Sequence, residues 1–161
     1  MGGKEIESDV DVEDFLAQEG VTKSIYALTA RRKCWKCGQK TTVIGFFFMT
    51  GNTVYDVFNI TKCPDELVKM IKEKFPFWKK SYSKTAKESY YANHCENCGA
   101  LQGDYFLHNE PGEPFFGIDY PCLSQIAQHI PLEKYTFSGA LDCSIGMSAG
   151  LDPQEWMKNF I

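Results

Sequence analysis

Apolar and polar positions alternate loosely over residues 22–32, where Ile25, Ala27 and Thr29 share one side, and this two-residue period predicts a strand. Residues 41–49 are almost continuously β-branched or aromatic and predict a second strand returning from the first. Gly51-Asn52 then turns the chain into a third over residues 53–60. The period changes after that. Leu67, Ile71 and Phe75 recur at i, i+4 and i+8, Pro64 stands at a first helical position, and Asp65 and Glu66 fill the first turn, so residues 64–75 predict a helix with Lys69, Lys72 and Lys74 on its other faces. Tyr90-Tyr91-Ala92 and residues 100–108 read as strands on either side of a further turn. Beyond Glu110-Pro111-Gly112-Glu113-Pro114 come a short helix near residues 122–129, a strand around Tyr135, a Gly/Ser-rich turn region, and a last helix opened by Asp152-Pro153 with Trp156 and Phe160 inward. Residues 1–20 form an acidic, partly disordered segment, in which a brief helix fits residues 12–18 before Gly20.

Two of the predicted turns carry the chemistry. Cys34-Trp35-Lys36-Cys37-Gly38 lies between the first two strands, and Cys95-Glu96-Asn97-Cys98-Gly99 follows the Tyr90-Tyr91-Ala92 strand. Four thiolates from two C-x-x-C-G knuckles make a closed tetrahedral zinc site, a structural one, since a catalytic zinc keeps a position open for water or substrate. Glycine after each second cysteine supplies a residue that takes positive φ without steric cost. Taken alone, Cys34 and Cys37 also match a redox dithiol, but that motif opens a helix, and here a strand follows. The segment between the knuckles is far longer than the roughly 15–20 residues of a compact zinc ribbon, so residues of about 50–88 are expected to be an insertion.

Composition changes the picture little: 43% hydrophobic residues, with twelve Phe, eight Tyr and three Trp, supply the core of a single globular domain over residues 21–161. No run reaches the roughly 18 apolar residues of a membrane span, and the first residues lack the apolar stretch of a signal peptide. Seven cysteines with four given to metal suit a reducing cytoplasm. Charge changes it more. Residues 31–87 hold thirteen of the seventeen Lys and Arg but four of the twenty-one acids, a formal +9 that leaves the rest of the chain at −13. Either the acidic flanks fold back and neutralise this segment, or it is a face for an anionic partner. Residues 75–84 interleave four aromatics with three lysines, as single-stranded nucleic acid binders do. The candidate contacts are Lys79, Lys80, Lys84 and Trp78, with Arg31 and Arg32 upstream.

Catalytic signatures fail on order. Gly146-Met147-Ser148-Ala149-Gly150 matches a nucleophile elbow, but its histidine should follow the serine and the last one here is His129. His94-x-Glu96 matches the front of a zinc deaminase signature without the downstream P-C-x-x-C. His94 is expected to hydrogen-bond beside the metal, or to replace one cysteine as ligand. Asp104 is read as an exposed acid on the strand after the second knuckle, or as an acceptor orienting the site. Cys63, Cys122 and Cys143 read as buried thiols, and His108 and His129 lack partners at ligand spacing.

Residues 91–106, Tyr-Ala-Asn-His-Cys-Glu-Asn-Cys-Gly-Ala-Leu-Gln-Gly-Asp-Tyr-Phe, resemble small uncharacterised bacterial proteins with a zinc-ribbon-like four-cysteine site. The resemblance implies zinc at Cys34, Cys37, Cys95 and Cys98, and no activity. The expected fold is therefore α+β: zinc-ribbon-like β-hairpin knuckles, a helix-containing insertion and a C-terminal α/β cap. The expected function is a non-enzymatic binding module for protein or single-stranded nucleic acid, the rival being an enzyme sited around His129, Cys143 and Ser148.

Overall fold

A computed structural model describes residues 9–50, 53–109, 114–115 and 133–148. Within them the elements are α1 (Asp9–Ala17), β1 (Thr22–Lys33), β2 (Lys40–Thr50), β3 (Thr53–Lys62), α2 (Asp65–Lys74), β4 (Trp78–Ser83), β5 (Glu88–His94), β6 (Leu101–Gln102), α3 (Asp104–Asn109), β7 (Glu133–Ser138) and β8 (Asp142–Ser148). The strands form one antiparallel sheet in the order β4-β5-β3-β2-β1-β7, with β6 added to β5 and β8 to β3. The fold is thus mixed α+β and mostly sheet.

The apolar run in β2 has a direct cause: both faces of that strand are covered. Ile44, Phe46 and Phe48 point into a cluster with Val12 and Leu16 of α1 and Leu67 and Ile71 of α2. Val43 and Phe47 point the opposite way, against Leu107 of α3 and Phe115. A strand buried on both sides loses its alternation and reads as a solid hydrophobic block. β1 shows the transition within one strand, alternating from Thr22 to Tyr26 and buried throughout from Ala27 to Ala30.

β3 is the hinge of the sheet. It pairs with β2 from Thr53 to Val57, with β5 at Ile60, and with β8 through a register shift between Phe58 and Lys62. Asn59, at φ 49°, supplies the irregular residue. One extra residue inverts the strand's parity, which is why Val57 and Ile60, three apart, enter the same core cluster. Where β3 leaves β2, Asn93 of β5 takes its place. Its side-chain carbonyl accepts the Ile44 N–H at 2.8 Å and its amide donates to the Ile44 carbonyl at 2.9 Å, so a buried side chain supplies the pair of bonds a strand would make.

The helix predicted over residues 64–75 is α2, with Pro64 at its N-cap, Asp65 and Glu66 in the first turn, and Leu67 and Ile71 fully buried. Other expectations change. α1 begins earlier than the predicted fraying segment allowed, and its Val12 and Leu16 are core residues. The strand expected over residues 100–108 stops at Gln102, because Gly103 and Asp104 turn the chain into α3. Of the C-terminal cap, the described residues show two strands of the same sheet: the strand expected around Tyr135 is β7, which pairs with β1, and the expected turn region is β8, which pairs with β3. The insertion is likewise part of that sheet, through β3 on β2 and β4 on β5. The helices predicted near residues 122–129 and after Asp152, and the Gly51-Asn52 turn, lie outside the described residues.

Candidate metal centre

Each knuckle is the end of an antiparallel hairpin. β1 and β2 meet at Lys33 and Lys40, and β5 and β6 at His94 and Leu101, so both C-x-x-C segments span matching turns. The two turns repeat bond for bond. Cys34 N–H donates to Gln39 C=O at 2.8 Å and Gly38 N–H to Cys34 C=O at 3.0 Å; Cys95 N–H donates to Ala100 C=O and Gly99 N–H to Cys95 C=O, both at 2.9 Å. Gly38 and Gly99 sit at φ 75° and 78°, the left-handed region that the turn requires and glycine takes freely.

The sheet brings these turns together. The Sγ atoms of Cys34, Cys37, Cys95 and Cys98 all lie within 4.8 Å of one another and form a possible metal-binding site. The Cys34–Cys98 and Cys37–Cys95 sulfurs are 3.7 Å apart, much too far for a disulfide at about 2.05 Å. Backbone N–H groups aim at the sulfurs in the same pattern twice, from Lys36 to Cys34 at 3.4 Å and from Asn97 to Cys95 at 3.3 Å. Burial pushes the Cys34 thiol up, but the Cys37 and Lys36 amides outweigh it and bring it down to about 6. Cys95 is likewise lowered, against burial, by the amides of Cys98 and Asn97. Cys37 is helped by the Gln39 amide, yet burial and the neighbouring sulfurs push it up to about 11. In each knuckle the first cysteine is thus shifted toward the thiolate, the form that binds metal.

Around the sulfurs stand residues that spacing did not reveal. Gln102, fully buried, donates its side-chain amide to Cys34 Sγ at 3.3 Å, and its carbonyl accepts from the Arg32 guanidinium. Glu96 accepts the Thr42 N–H at 2.6 Å and pairs with Arg31 at 3.4 Å, docking the second knuckle on β2. Asn97 adds a bond to the Lys40 carbonyl at 3.2 Å, and Trp35 donates its indole N–H to the Leu101 carbonyl at 2.7 Å. The one available signal is that Glu96, Asn97 and Trp35 occupy the two positions between paired cysteines.

His94 is no ligand. Its Nδ1 faces the carbonyls of Ala92 and Phe77 at 3.0 and 3.1 Å, so it carries the proton, and Nε2 accepts from the Ser81 hydroxyl at 2.8 Å. Burial lowers its pKa and keeps the ring neutral. Asp104 is neither an exposed acid nor a partner of the cluster: it is buried in α3, where Oδ2 accepts the Asn59 N–H at 2.9 Å. Burial pushes the thiols of Cys63, which is buried, and of Cys143, which is partly buried, up to about 12, while Cys122 and His129 lie outside the described residues. Gly146 and Ser148 lie within β8, opposite Asp56 and Val54, whereas a nucleophile elbow needs a strand-to-helix turn.

The basic segment is partly neutralised from its flanks, since Arg31, Lys62 and Lys74 pair with Glu96, Glu19 and Glu133 at 3.4, 3.9 and 2.8 Å. The Trp78 ring is 2% exposed, edge-on to Phe46 and stacked on Tyr91, and offers no face to a base. Lys80 donates to the Thr61 carbonyl at 3.0 Å and lies over Tyr91. Lys79 and Lys84 are exposed. No described helix is long and apolar enough to cross a membrane. No protein-family model, curated protein or solved structure matches the chain.

Proposed function

We propose that this chain is a zinc-stabilised, non-enzymatic binding module of the cytoplasm, built on zinc-ribbon-like knuckles at Cys34, Cys37, Cys95 and Cys98. The observation that carries it is the four-sulfur cluster. Zinc bound to four thiolates at about 2.3 Å sets their sulfurs at the corners of a tetrahedron with edges of about 3.8 Å. The 3.7 Å separations of Cys34–Cys98 and Cys37–Cys95 fit that edge. A soft all-sulfur set favours zinc over the hard oxygen-seeking cations, and four cysteines leave no coordination position for substrate. The free thiols of Cys63 and Cys143 suit the same reducing compartment. Protein or single-stranded nucleic acid is the partner, held by the exposed part of the basic segment, Lys79 and Lys84 among it.

Elemental analysis of purified protein should find one zinc per chain. A Cys37→Ser/Cys98→Ser variant should lose it and melt far below the parent, because metal binding worth on the order of 10 kcal/mol is coupled to folding at such sites. Less than half an equivalent of zinc, or an unchanged melt in the double variant, would overturn the reading.

A further inference from the structure

A cavity of about 970 Å³ opens between the first knuckle and the β4–β5 turn, its wall including Arg32, Trp35, Tyr82, Lys84, Glu88 and Tyr90. Its volume is on the scale of pockets that hold small ligands or parts of larger ones, roughly 300–1,000 Å³. Large rings are normally inside, yet Trp35 is 67% and Tyr82 61% exposed, two of the three large hydrophobic side chains exposed among the described residues. Trp35 is not loose. The bond from its indole N–H to the Leu101 carbonyl fixes the ring as a wall, so little freedom is lost when a flat partner lies against it.

Cations accompany the rings. The Arg32 guanidinium is anchored by Gln102, which also bonds Cys34 Sγ, so this wall is tied to the metal centre. Lys84 lies across the cavity on the β4–β5 turn, in a segment of formal +9. Glu88 is the single carboxylate of the lining among the described residues. Exposed rings that offer stacking faces beside an arginine and a lysine match a flat base joined to a phosphate. A protein partner would want a broad flat patch, whereas this wall is concave, largely apolar and edged by two cations.

We infer that this cavity receives an unpaired nucleobase of single-stranded nucleic acid, stacked on Trp35 and Tyr82 with its phosphates toward Lys84 and Arg32. The inference deepens the proposed binding role and rests on it for the placement of the first knuckle.

The test is fluorescence anisotropy of the full, zinc-loaded chain with labelled dT12 and rU12, titrated with KCl and competed with duplex DNA, poly-glutamate and UMP. Trp35→Ala and Tyr82→Ala should each weaken binding about 5- to 150-fold, the range that stacking of one base spans. Lys84→Ala should make the log-log salt slope shallower by about 0.7, and Glu88→Gln, which removes a repelling charge, should tighten binding. Lys69→Ala, a charge lost from α2, should change nothing. Zinc is assayed in every variant, and because the two rings sit on separate elements, one misfolded variant still leaves the other to decide. Zinc-loaded protein that binds neither oligonucleotide at low salt would overturn the nucleobase site and leave the zinc module standing, whereas protein without zinc would overturn the module itself. Displacement by poly-glutamate or duplex as effective as by unlabelled dT12 would also overturn the site, as would UMP binding as tightly as rU12 or indifference to both ring substitutions.

Discussion

Lys23 is a strand lysine that is 4% exposed, and it closes α1 from outside the helix. Its ammonium donates to the carbonyls of Phe15, Leu16 and Gln18 at 3.2, 2.5 and 2.6 Å, so one cation satisfies several of the acceptors that a helix end leaves open. Burial lowers its pKa, with Glu19 and Asp142 working in the opposite sense. Lys23→Met keeps the length of the side chain and orphans the carbonyls; urea unfolding should show a loss of about 2–3 kcal/mol. Asn93→Leu should cost a similar amount by abandoning both backbone groups of Ile44, and slowed exchange at the Ile44 amide in the parent should disappear in the variant. Neither role could be read in the sequence. The four-cysteine cluster could, because C-x-x-C-G states its own turn geometry over five positions. Lys23 and Asn93 act on chain 5 to 49 residues away, and nothing in their immediate neighbours marks them.

Elements whose stability is local were legible, and those imposed by packing were not. α2 announces itself through its i, i+4 apolar positions and its charged turns, and β1 and β2 through the knuckle they flank. α3 is a six-residue helix with a strand-like sequence, held by Leu107 in the core and by Asp104 on the Asn59 N–H. β4 hides its buried Trp78 among lysines, and β8, whose sequence includes one Gly and two Ser, is held as a strand by its pairing with β3. Gly45 on β2 shows how tightly the second face is filled. A Cβ there would stand 2.8 Å from the ring of Phe115, which is fully buried. Gly45→Ala should therefore destabilise by about 1–3 kcal/mol through overpacking, and Phe115→Leu combined with it should recover part of that loss. A double-mutant cycle of denaturation midpoints measures the coupling, and additive effects would place Phe115 elsewhere.

For the molecule as a whole, the buried acid on α3 sets a pH dependence. Burial raises Asp104 to about 6 from an ordinary 3.8, against the opposing pull of His108 and of the Asn59 N–H. The folded chain thus holds a proton that the unfolded chain has released between those values. Stability from this group is greatest below about pH 4 and falls as pH rises to about 6, by at most about 3 kcal/mol. Asp104→Asn, whose carbonyl still accepts from Asn59, should gain stability near pH 7.5 and show a flatter profile from pH 4 to 7 in urea melts. Asp56, 3.6 Å from His108, shares that pocket, and the parent and variant should be compared at one ionic strength. The spacing of the knuckles has a consequence for how the chain is made. Cys37 and Cys95 are 58 residues apart, and Cys34 and Cys98 are 64 apart. At a ribosomal pace of roughly 5–20 residues per second, the first dithiol waits several seconds for the second to emerge. During synthesis the first pair is a half-site without its partner sulfurs, and the four-sulfur cluster on which the proposed zinc reading rests can close only after Cys98 has emerged.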